Sequence, residues 1–264
     1  MLGSDMAKST ASHSTDEGKL KSRSWKMAIF ACALSLSAAL ATTTLSMPLS
    51  KAGSAFPAVG EPSISAYDLE EEPPLVDWDN LKATDPNVIG WVSIPGTDLG
   101  LPIVRADASE PSFYANHGFG RSADPRGCPF LDSDCTDGLS SLNSVVYGHN
   151  LNTGDMFAEF AKYVEQAYAE DHRKVLLQTP GEKRRLYVQS VEIASGTDSS
   201  NVTDFSSQEE FRCWYQARYE ASIVKLAPKP TGDAAPDKVV TFCTCVDDEM
   251  KDERVLIYAA EEWL

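Results

Sequence analysis

The apolar residues of the chain fall into one long uncharged run near the N-terminus and many short runs after it. The long run covers residues 27–50, which are 24 positions without a charged side chain. A helix rises about 1.5 Å per residue, so roughly 20 apolar residues cross the hydrocarbon core of a bilayer. The pattern therefore predicts a transmembrane helix at 27–50.

Basic residues before this run determine its predicted orientation. They are Lys19, Lys21, Arg23 and Lys26. Because positive charge is retained on the cytoplasmic side of a membrane, we predict a cytoplasmic tail at 1–26 and a single-pass signal anchor at 27–50, with the rest of the chain on the extracellular side. Ala39-Leu40-Ala41 also fits the cleavage site of a secretory signal, which would export the domain without an anchor.

The segment 51–75 is rich in Pro, Ser, Ala and Glu and has no apolar period, which is typical of an exposed linker. The folded domain is predicted at 76–264. We expect it to open with a short helix that buries Trp78 and Leu81 and ends at Asp85-Pro86, because proline cannot continue a helix.

Short runs rich in β-branched and aromatic residues, cut by Gly, Pro and Asp, predict β-strands in this domain. They lie at 88–94, 101–104, 128–131, 144–148, 174–179, 185–193, 238–245 and 254–259. The Pro-Gly pair in 180–182 indicates a hairpin turn. Since the strands do not alternate regularly with helices, we expect a mainly β fold, a closed or nearly closed barrel with peripheral helices.

Two longer helices are predicted among these strands. One spans 156–170 and starts near Asp155. The other spans 207–223, where Ser207 and Glu210 have the spacing of a capping box. Its apolar residues form one stripe, which we expect to pack into the core: Phe211, Trp214, Tyr215, Tyr219 and Ile223.

The charge of the chain argues against one class of partner. There are 39 acidic and 23 basic residues, a formal net charge of −16. Binding to nucleic acid needs clustered Lys and Arg to neutralise phosphates. We therefore expect no nucleic-acid partner.

Cysteines are the first candidates for chemistry in the predicted extracellular part. They are Cys128, Cys135, Cys213, Cys243 and Cys245. In an oxidising compartment an odd number leaves at least one thiol free or paired between chains. A nucleophilic thiolate needs a neighbouring His or Arg. His149 and Arg254 lie near predicted strand ends, and Cys245 and Arg254 can meet at one rim if their strands pair.

Two stretches resemble the signature motifs of the sortases, cysteine transpeptidases that attach proteins to the cell wall of Gram-positive bacteria. They are Tyr147-Gly148-His149-Asn150-Leu151 with Met156-Phe157, and Thr241-Phe242-Cys243-Thr244-Cys245 with Arg254. The resemblance covers about residues 76–264. It is greatest to class B, in which a helix such as 207–223 precedes the strand that leads to the nucleophile. It implies an eight-stranded β-barrel.

The resemblance also implies roles for three residues. Cys245 would be the nucleophile that forms a thioester, His149 the general acid and base, and Arg254 the group that stabilises the oxyanion or positions the substrate backbone. The implied reaction cleaves a C-terminal sorting signal after Thr and transfers the surface protein to an amine of a peptidoglycan precursor or of a pilin lysine. No cofactor and no metal are implied. Asp247 matches an acidic position common in class B, but no step is assigned to it.

Phe242 and Cys243 depart from the family pattern, which usually has Leu and a small polar residue there. Because residues i and i+2 of a strand share a face, Cys243 and Cys245 are predicted to lie on the same side. We expect a buried, inert Cys243, and redox protection of Cys245 is the alternative. Cys128 and Cys135 are close enough in sequence either to form a local disulfide or to be buried separately.

Two other interpretations stay open at this point. One is an exported protein that uses Cys243 and Cys245 either for thiol-redox exchange or, together with His149, to bind zinc. The other is a non-enzymatic, membrane-tethered binding domain. Structural zinc sites typically combine paired ligand clusters, and this chain offers a single pair, which disfavours zinc.

Overall fold

The computed structural model describes residues 73–195, 201–231, 235–245 and 252–261. The predicted cytoplasmic tail, transmembrane segment and nearly all of the linker lie outside the described residues, and so does Asp247. Among the helices that are described, none has the length and hydropathy needed to cross a bilayer.

Nine β-strands form one sheet in the described part of the chain. They are β1 (Val88–Ser93), β2 (Gly100–Val104), β3 (Phe130–Leu131), β4 (Asn143–Tyr147), β5 (Lys174–Gln178), β6 (Lys183–Ser195), β7 (Val224–Lys225), β8 (Val239–Cys245) and β9 (Glu253–Glu261). The strand order is β5-β1-β2-β3-β4-β8-β9-β6-β7, and a further pairing joins β5 to β6. This pairing closes eight strands into a ring, which confirms the predicted eight-stranded barrel.

The long strand β6 explains why the ninth strand lies outside the ring. It has 13 residues. One edge pairs with β9 over Leu186–Ser195, while the other edge pairs first with β5 and then, at Ser190 and Val191, with β7. A closed barrel leaves no long unpaired edge, and β7 covers part of the edge that β5 leaves open. The two-residue β7 was not predicted.

Four α-helices lie around the barrel in the described residues: α1 (Trp78–Thr84), α2 (Ala158–Ala161), α3 (Gln166–Asp171) and α4 (Gln208–Ala221). The prediction for α1 is confirmed, with Leu81 buried and Trp78 partly buried. Helix α4 begins after Ser207, whose side chain accepts a hydrogen bond from the Glu210 N–H at 3.2 Å. In a full capping box the Glu210 carboxylate would accept from the Ser207 N–H. Here it accepts from the N–H and the hydroxyl of Ser206 instead.

The predicted helix at 156–170 is broken, so this prediction was wrong in its continuity. Helix α2 continues into a 3₁₀ turn at Lys162–Val164, and Glu165 is extended, with φ −90° and ψ 118°, before α3 begins. The buried aromatic residues Phe157, Phe160 and Tyr163 recur every third residue, a spacing that a 3₁₀ turn keeps on one face. Packing of these rings into the barrel therefore outweighs the propensity for one continuous helix.

The strands β4, β8 and β9 have two buried faces, and this positions the candidate site. The inner face carries Val146, Phe242 and Ile257 and belongs to the barrel core. The outer face carries Cys243 and Leu256 and packs with the α4 residues Phe211 and Tyr215. Ile223 does not join the predicted stripe, because α4 ends at Ala221 and Ile223 is 55% exposed.

Candidate active site

The sheet register brings the three predicted site residues into one row on the outer face of the barrel. Tyr147 of β4 pairs with Cys243 of β8 in the last rung of the parallel ladder, and the Gly148 N–H still donates to the Cys243 carbonyl, so the backbone carries His149 on toward Cys245. Cys245 itself pairs with Arg254 of β9. Because alternate residues of a strand share a face, His149, Cys245 and Arg254 form a row next to the row that contains Cys243.

The backbone after β4 continues along β8 and then turns sharply. The Gly148 N–H donates to the Cys243 carbonyl at 3.1 Å, and the His149 carbonyl accepts from the Phe157 N–H at 2.7 Å. A Cβ at position 148 would lie 2.5 Å from the Phe157 ring. Glycine is therefore required there, because the ring lies directly against the backbone that carries His149.

His149 is buried just beyond the end of β4 and makes a directed hydrogen bond. Its Nε2 lies 2.8 Å from the carbonyl oxygen of Ala115. Since a carbonyl oxygen only accepts, Nε2 carries the proton and donates it, and the neutral ring has its lone pair on Nδ1. Burial, together with the nearby positive charge of Arg254, lowers the pKa of His149 below its ordinary value, although the bond to Ala115 acts in the opposite direction.

Cys245 lies at the end of β8 and is almost enclosed, with 7% of its surface exposed. The side-chain amide of Asn150 donates to its carbonyl oxygen at 3.2 Å. This bond ties the residue after His149 to the residue that carries the candidate nucleophile. The two strand ends are therefore held together beyond the last rung of the β4–β8 ladder.

Arg254 is half-buried and lies beside both other candidates. Its Nη1 donates to the Glu253 carbonyl at 3.1 Å. Its charge acts on His149 and also on Cys243. A guanidinium in this place can donate hydrogen bonds to an oxygen that becomes negative near Cys245.

Cys243 points to the same side as Cys245, as predicted, and is buried under α4. Burial is the main cause that raises the pKa of Cys243 to about 12. Asn201 Nδ2 lies 3.8 Å from its sulfur. A thiol with so high a pKa has almost no thiolate at neutral pH, which disfavours both nucleophilic and redox roles for Cys243.

The other cysteines of the described residues are unbridged. Cys128 and Cys135 form no disulfide and are buried in different parts of the core, near the carbonyls of Pro102 and Asn143 respectively, so the open alternative of a local disulfide is not realised. Cys213 is a free thiol exposed on α4. No cluster of three or more His, Cys, Asp or Glu residues that would fit a metal ion occurs in the described ranges.

A family comparison identifies the fold on which this row of residues lies. The sortase domain model matches residues 92–262, more than half of the chain. The chain belongs to the sortase family. This sortase resembles sortase B of Staphylococcus aureus, at 23% identity over 70% of this chain and 73% of the relative. It also resembles sortase B of Listeria monocytogenes, at 24% identity over 66% of this chain and 68% of the relative.

Solved structures agree with this assignment. Sortase B of Clostridium perfringens matches with a TM-score of 0.61 and 25% identity over 70% of this sortase and 99% of that chain. A Staphylococcus aureus sortase B–substrate complex matches in fold, with a TM-score of 0.60 and 20% identity over 71% of this chain and 85% of that one. A sortase B complexed with Gly3 also matches in fold, with a TM-score of 0.59 and 21% identity over 69% of this chain and 84% of that one. The protein is therefore a class B-like sortase, a cysteine transpeptidase.

Two groups of the sortase site escaped the sequence analysis. The Ala115 carbonyl belongs to a 3₁₀ turn that is distant in sequence from both motifs. A backbone group gives no signal in a sequence. Asn150 stood inside the first motif, but its bond to the Cys245 carbonyl depends on how far β4 runs along β8. A shallow cavity of about 550 Å³ between the β1–β2 turn and α2–α3 contains none of the three site residues.

Proposed function

We propose that this sortase cleaves a C-terminal sorting signal after Thr, holds the surface protein as a thioester on Cys245 and transfers it to an amine. The single observation that carries the proposal is the row of His149, Cys245 and Arg254 on the outer face of β4, β8 and β9. A sulfur nucleophile, a proton-exchanging imidazole and a fixed cation are the three groups that acyl transfer through a thioester requires.

In the first half-reaction the sulfur of Cys245 attacks the carbonyl carbon that follows the substrate Thr. Burial and Arg254 favour the neutral imidazole of His149, and the proton of the Cys245 thiol passes to Nδ1 of this ring as the sulfur attacks. The negative charge of the tetrahedral intermediate falls on the carbonyl oxygen, which Arg254 stabilises. His149 then protonates the departing amine as the C–N bond breaks, and the thioester remains.

In the second half-reaction an acceptor amine attacks the thioester carbon. His149 now takes a proton from this amine, the C–S bond breaks, and a new amide forms while Cys245 regains its proton. The acceptor is an amine of a peptidoglycan precursor or a pilin lysine. A small peptide acceptor is supported by the related sortase B that was solved with Gly3.

The cellular setting belongs to the same proposal. A signal anchor at 27–50 would hold the catalytic domain, residues 76–264, on the extracellular side of the membrane, with residues 51–75 as a linker and 1–26 in the cytoplasm. Both substrates of the proposed reaction, the sorted surface protein and the cell-wall or pilus amine, are found on that side. The uncharged run after a basic cluster supports this orientation.

The test is mass spectrometry of the protein after incubation with a small library of sorting-signal peptides. We expect an acyl adduct on Cys245 that hydroxylamine removes. Cys245→Ala should abolish the adduct, and His149→Ala should reduce the rate of its formation at least about 100-fold. Cys243→Ala is the matched control and should keep the adduct. An adduct that survives in Cys245→Ala and disappears in Cys243→Ala would contradict the proposal.

A further inference from the structure

Two buried hydrogen bonds, joined through the adjacent residues Tyr114 and Ala115, connect Asp85 at the end of α1 to the site. The Tyr114 hydroxyl donates to Asp85 Oδ2 at 2.7 Å. The carbonyl of the next residue, Ala115, accepts from His149 Nε2 at 2.8 Å. Asp85 and Tyr114 are both 0% exposed, and no step of the proposed reaction uses either of them.

The Tyr114 hydroxyl is fixed in direction because its hydrogen-bonding capacity is used completely. Besides donating to Asp85, it accepts from Asn87 Nδ2 at 3.1 Å and from Arg121 Nη1 at 3.3 Å. A hydroxyl offers one donor and two acceptor positions. Burial, with Asp85 as the second cause, raises the pKa of Tyr114 well above its ordinary value, so the hydroxyl stays protonated and can donate.

The backbone between this hydroxyl and the site is clamped as well. Tyr114 and Ala115 lie in a 3₁₀ turn. The Tyr114 carbonyl accepts from the Cys128 N–H at 3.0 Å. Gly127 has φ +68°, and a Cβ there would lie 2.6 Å from the Tyr114 oxygen, so the two segments are in direct contact. The direction of the Ala115 carbonyl is therefore determined by the anchoring of Tyr114.

This direction decides which nitrogen of His149 can exchange a proton. While the Ala115 carbonyl accepts from Nε2, the neutral ring has its proton on Nε2 and its lone pair on Nδ1. Without this acceptor, both neutral tautomers are available to the ring, and part of the population has a protonated Nδ1 that cannot act as a base. Arg254 of β9 and this carbonyl both act on the ring.

We propose that Asp85 and Tyr114 are positioning residues that hold His149 in the Nε2-protonated tautomer through the Ala115 carbonyl, so that Nδ1 exchanges the proton in both half-reactions. The inference rests on the proposed function for the role of His149 in catalysis. The tautomer itself is a property of the protein without substrate, and it can be measured without turnover.

The experiment uses the full chain in detergent with ¹⁵N-labelled histidine, in the Cys245→Ala background. Long-range ¹H–¹⁵N spectra distinguish protonated from unprotonated ring nitrogens. We expect His149 to have a protonated Nε2 in this background and mixed tautomers in Tyr114→Phe. Its pKa should fall further in Tyr114→Phe, because the bond to Ala115 raises it.

A buried tyrosine elsewhere provides the matched control. Tyr163 is also 0% exposed, and its hydroxyl donates to the His172 carbonyl at 2.6 Å. Tyr163→Phe should lower stability and leave the His149 tautomer unchanged. With Cys245 present, Tyr114→Phe should lower kcat/KM for thioester formation about 10- to 100-fold, mainly through kcat. Asp85→Asn in a chain that keeps Tyr114 retains an acceptor for the hydroxyl and should lower kcat/KM much less than Tyr114→Phe does.

The outcomes separate this inference from the function on which it rests. If Tyr114→Phe keeps the Nε2-protonated tautomer and the wild-type kcat while Cys245→Ala and His149→Ala are inactive, the positioning role is wrong and the proposed function stands. If His149→Ala forms the thioester at the wild-type rate, the proposed function is wrong whatever the tautomer. Should Tyr114→Phe fail to fold, Asp85→Ala removes the acceptor of the same hydroxyl, and an unchanged His149 tautomer there overturns the inference.

Discussion

His149 and Arg254 influence each other at the scale of single residues. The imidazole is buried, and the guanidinium next to it makes a second positive charge unfavourable, so the neutral ring is favoured. A guanidinium is a planar cation with several N–H donors. The candidate site thus combines an imidazole that favours its neutral form with a guanidinium cation, and each of the two can be tested separately.

Replacing Arg254 with Lys tests the geometry of the cation rather than its charge. A planar guanidinium can make two parallel hydrogen bonds, whereas an ammonium is a point charge on a flexible stem. We expect Arg254→Lys to lower kcat/KM for cleavage of a sorting peptide about 100-fold, in the range found when an oxyanion donor is removed. Arg212→Lys on α4 is the control and should be close to wild type. Wild-type kinetics in Arg254→Lys would show that charge alone is sufficient.

The lowered pKa of His149 predicts how stability depends on pH. Between the folded pKa and the ordinary value of about 6.5, the unfolded chain binds a proton at this residue that the folded protein does not. The free energy of unfolding should therefore fall as pH decreases through about 6.5. Above that value His149 should cause no loss of stability, because the ring is neutral in both the folded and the unfolded chain. Urea unfolding at pH 7.5 and pH 5.5 measures it. His149→Gln should show a smaller loss between the two pH values, and an equal loss would contradict the prediction.

At the scale of elements, helix α4 is attached to the barrel by both apolar and polar contacts. Phe211 and Tyr215 pack on the outer face of the sheet. Arg218 donates to the buried Glu192 of β6 at 3.0 Å, and Tyr258 of β9 donates to the same carboxylate at 2.9 Å. The helix therefore covers the sheet beside the row of His149, Cys245 and Arg254, including the row that contains Cys243.

The first turn of α4 depends on its capping residue. Ser207 accepts from the Glu210 N–H, a donor that otherwise has no partner within the helix. Ser207→Ala should lower the free energy of unfolding by about 1 kcal/mol, and Ser207→Asp, which restores an acceptor, should recover most of it. Chemical denaturation of the two variants provides the measurement. Equal stability of Ser207→Ala and wild type would mean that packing alone fixes the start of the helix.

At the scale of the whole molecule, the barrel is held by its closed sheet and cores, without disulfides among the described cysteines. The ring of eight strands encloses one large apolar core, and α4 adds a second on the outside. A domain of this size with a full core does not need covalent cross-links.

A reducing agent should therefore leave the melting temperature unchanged. Loss of a structural disulfide would destabilise the domain by about 2 to 5 kcal/mol, which shifts a melting curve by several degrees. Differential scanning calorimetry with and without reductant, together with alkylation mapping in denaturant, tests this expectation. A lower melting temperature in reductant, with Cys128 or Cys135 protected from alkylation before reduction, would contradict it.

Local patterns in the sequence were sufficient for the strands, the helix ends and the motifs. β-branched runs predicted eight of the nine strands, and the Ser207 cap predicted the start of α4, because these features depend on neighbouring residues. The continuous helix at 156–170 and the burial of Ile223 were wrong, since both depend on contacts with distant parts of the barrel. The Ala115 carbonyl could not be predicted because any residue offers the same backbone group.

The sequence by itself determined the kinds of groups that this sortase can use: a thiol, an imidazole and a guanidinium near strand ends. Only the tertiary structure decided their arrangement. The parallel register of β4 with β8 and the hairpin of β8 with β9 bring His149, Cys245 and Arg254 level with one another. Burial under α4 then separates the two thiols, leaving Cys243 protonated inside the fold and Cys245 at the end of its strand. Register and burial are properties of the packed sheet, so no local pattern contains them.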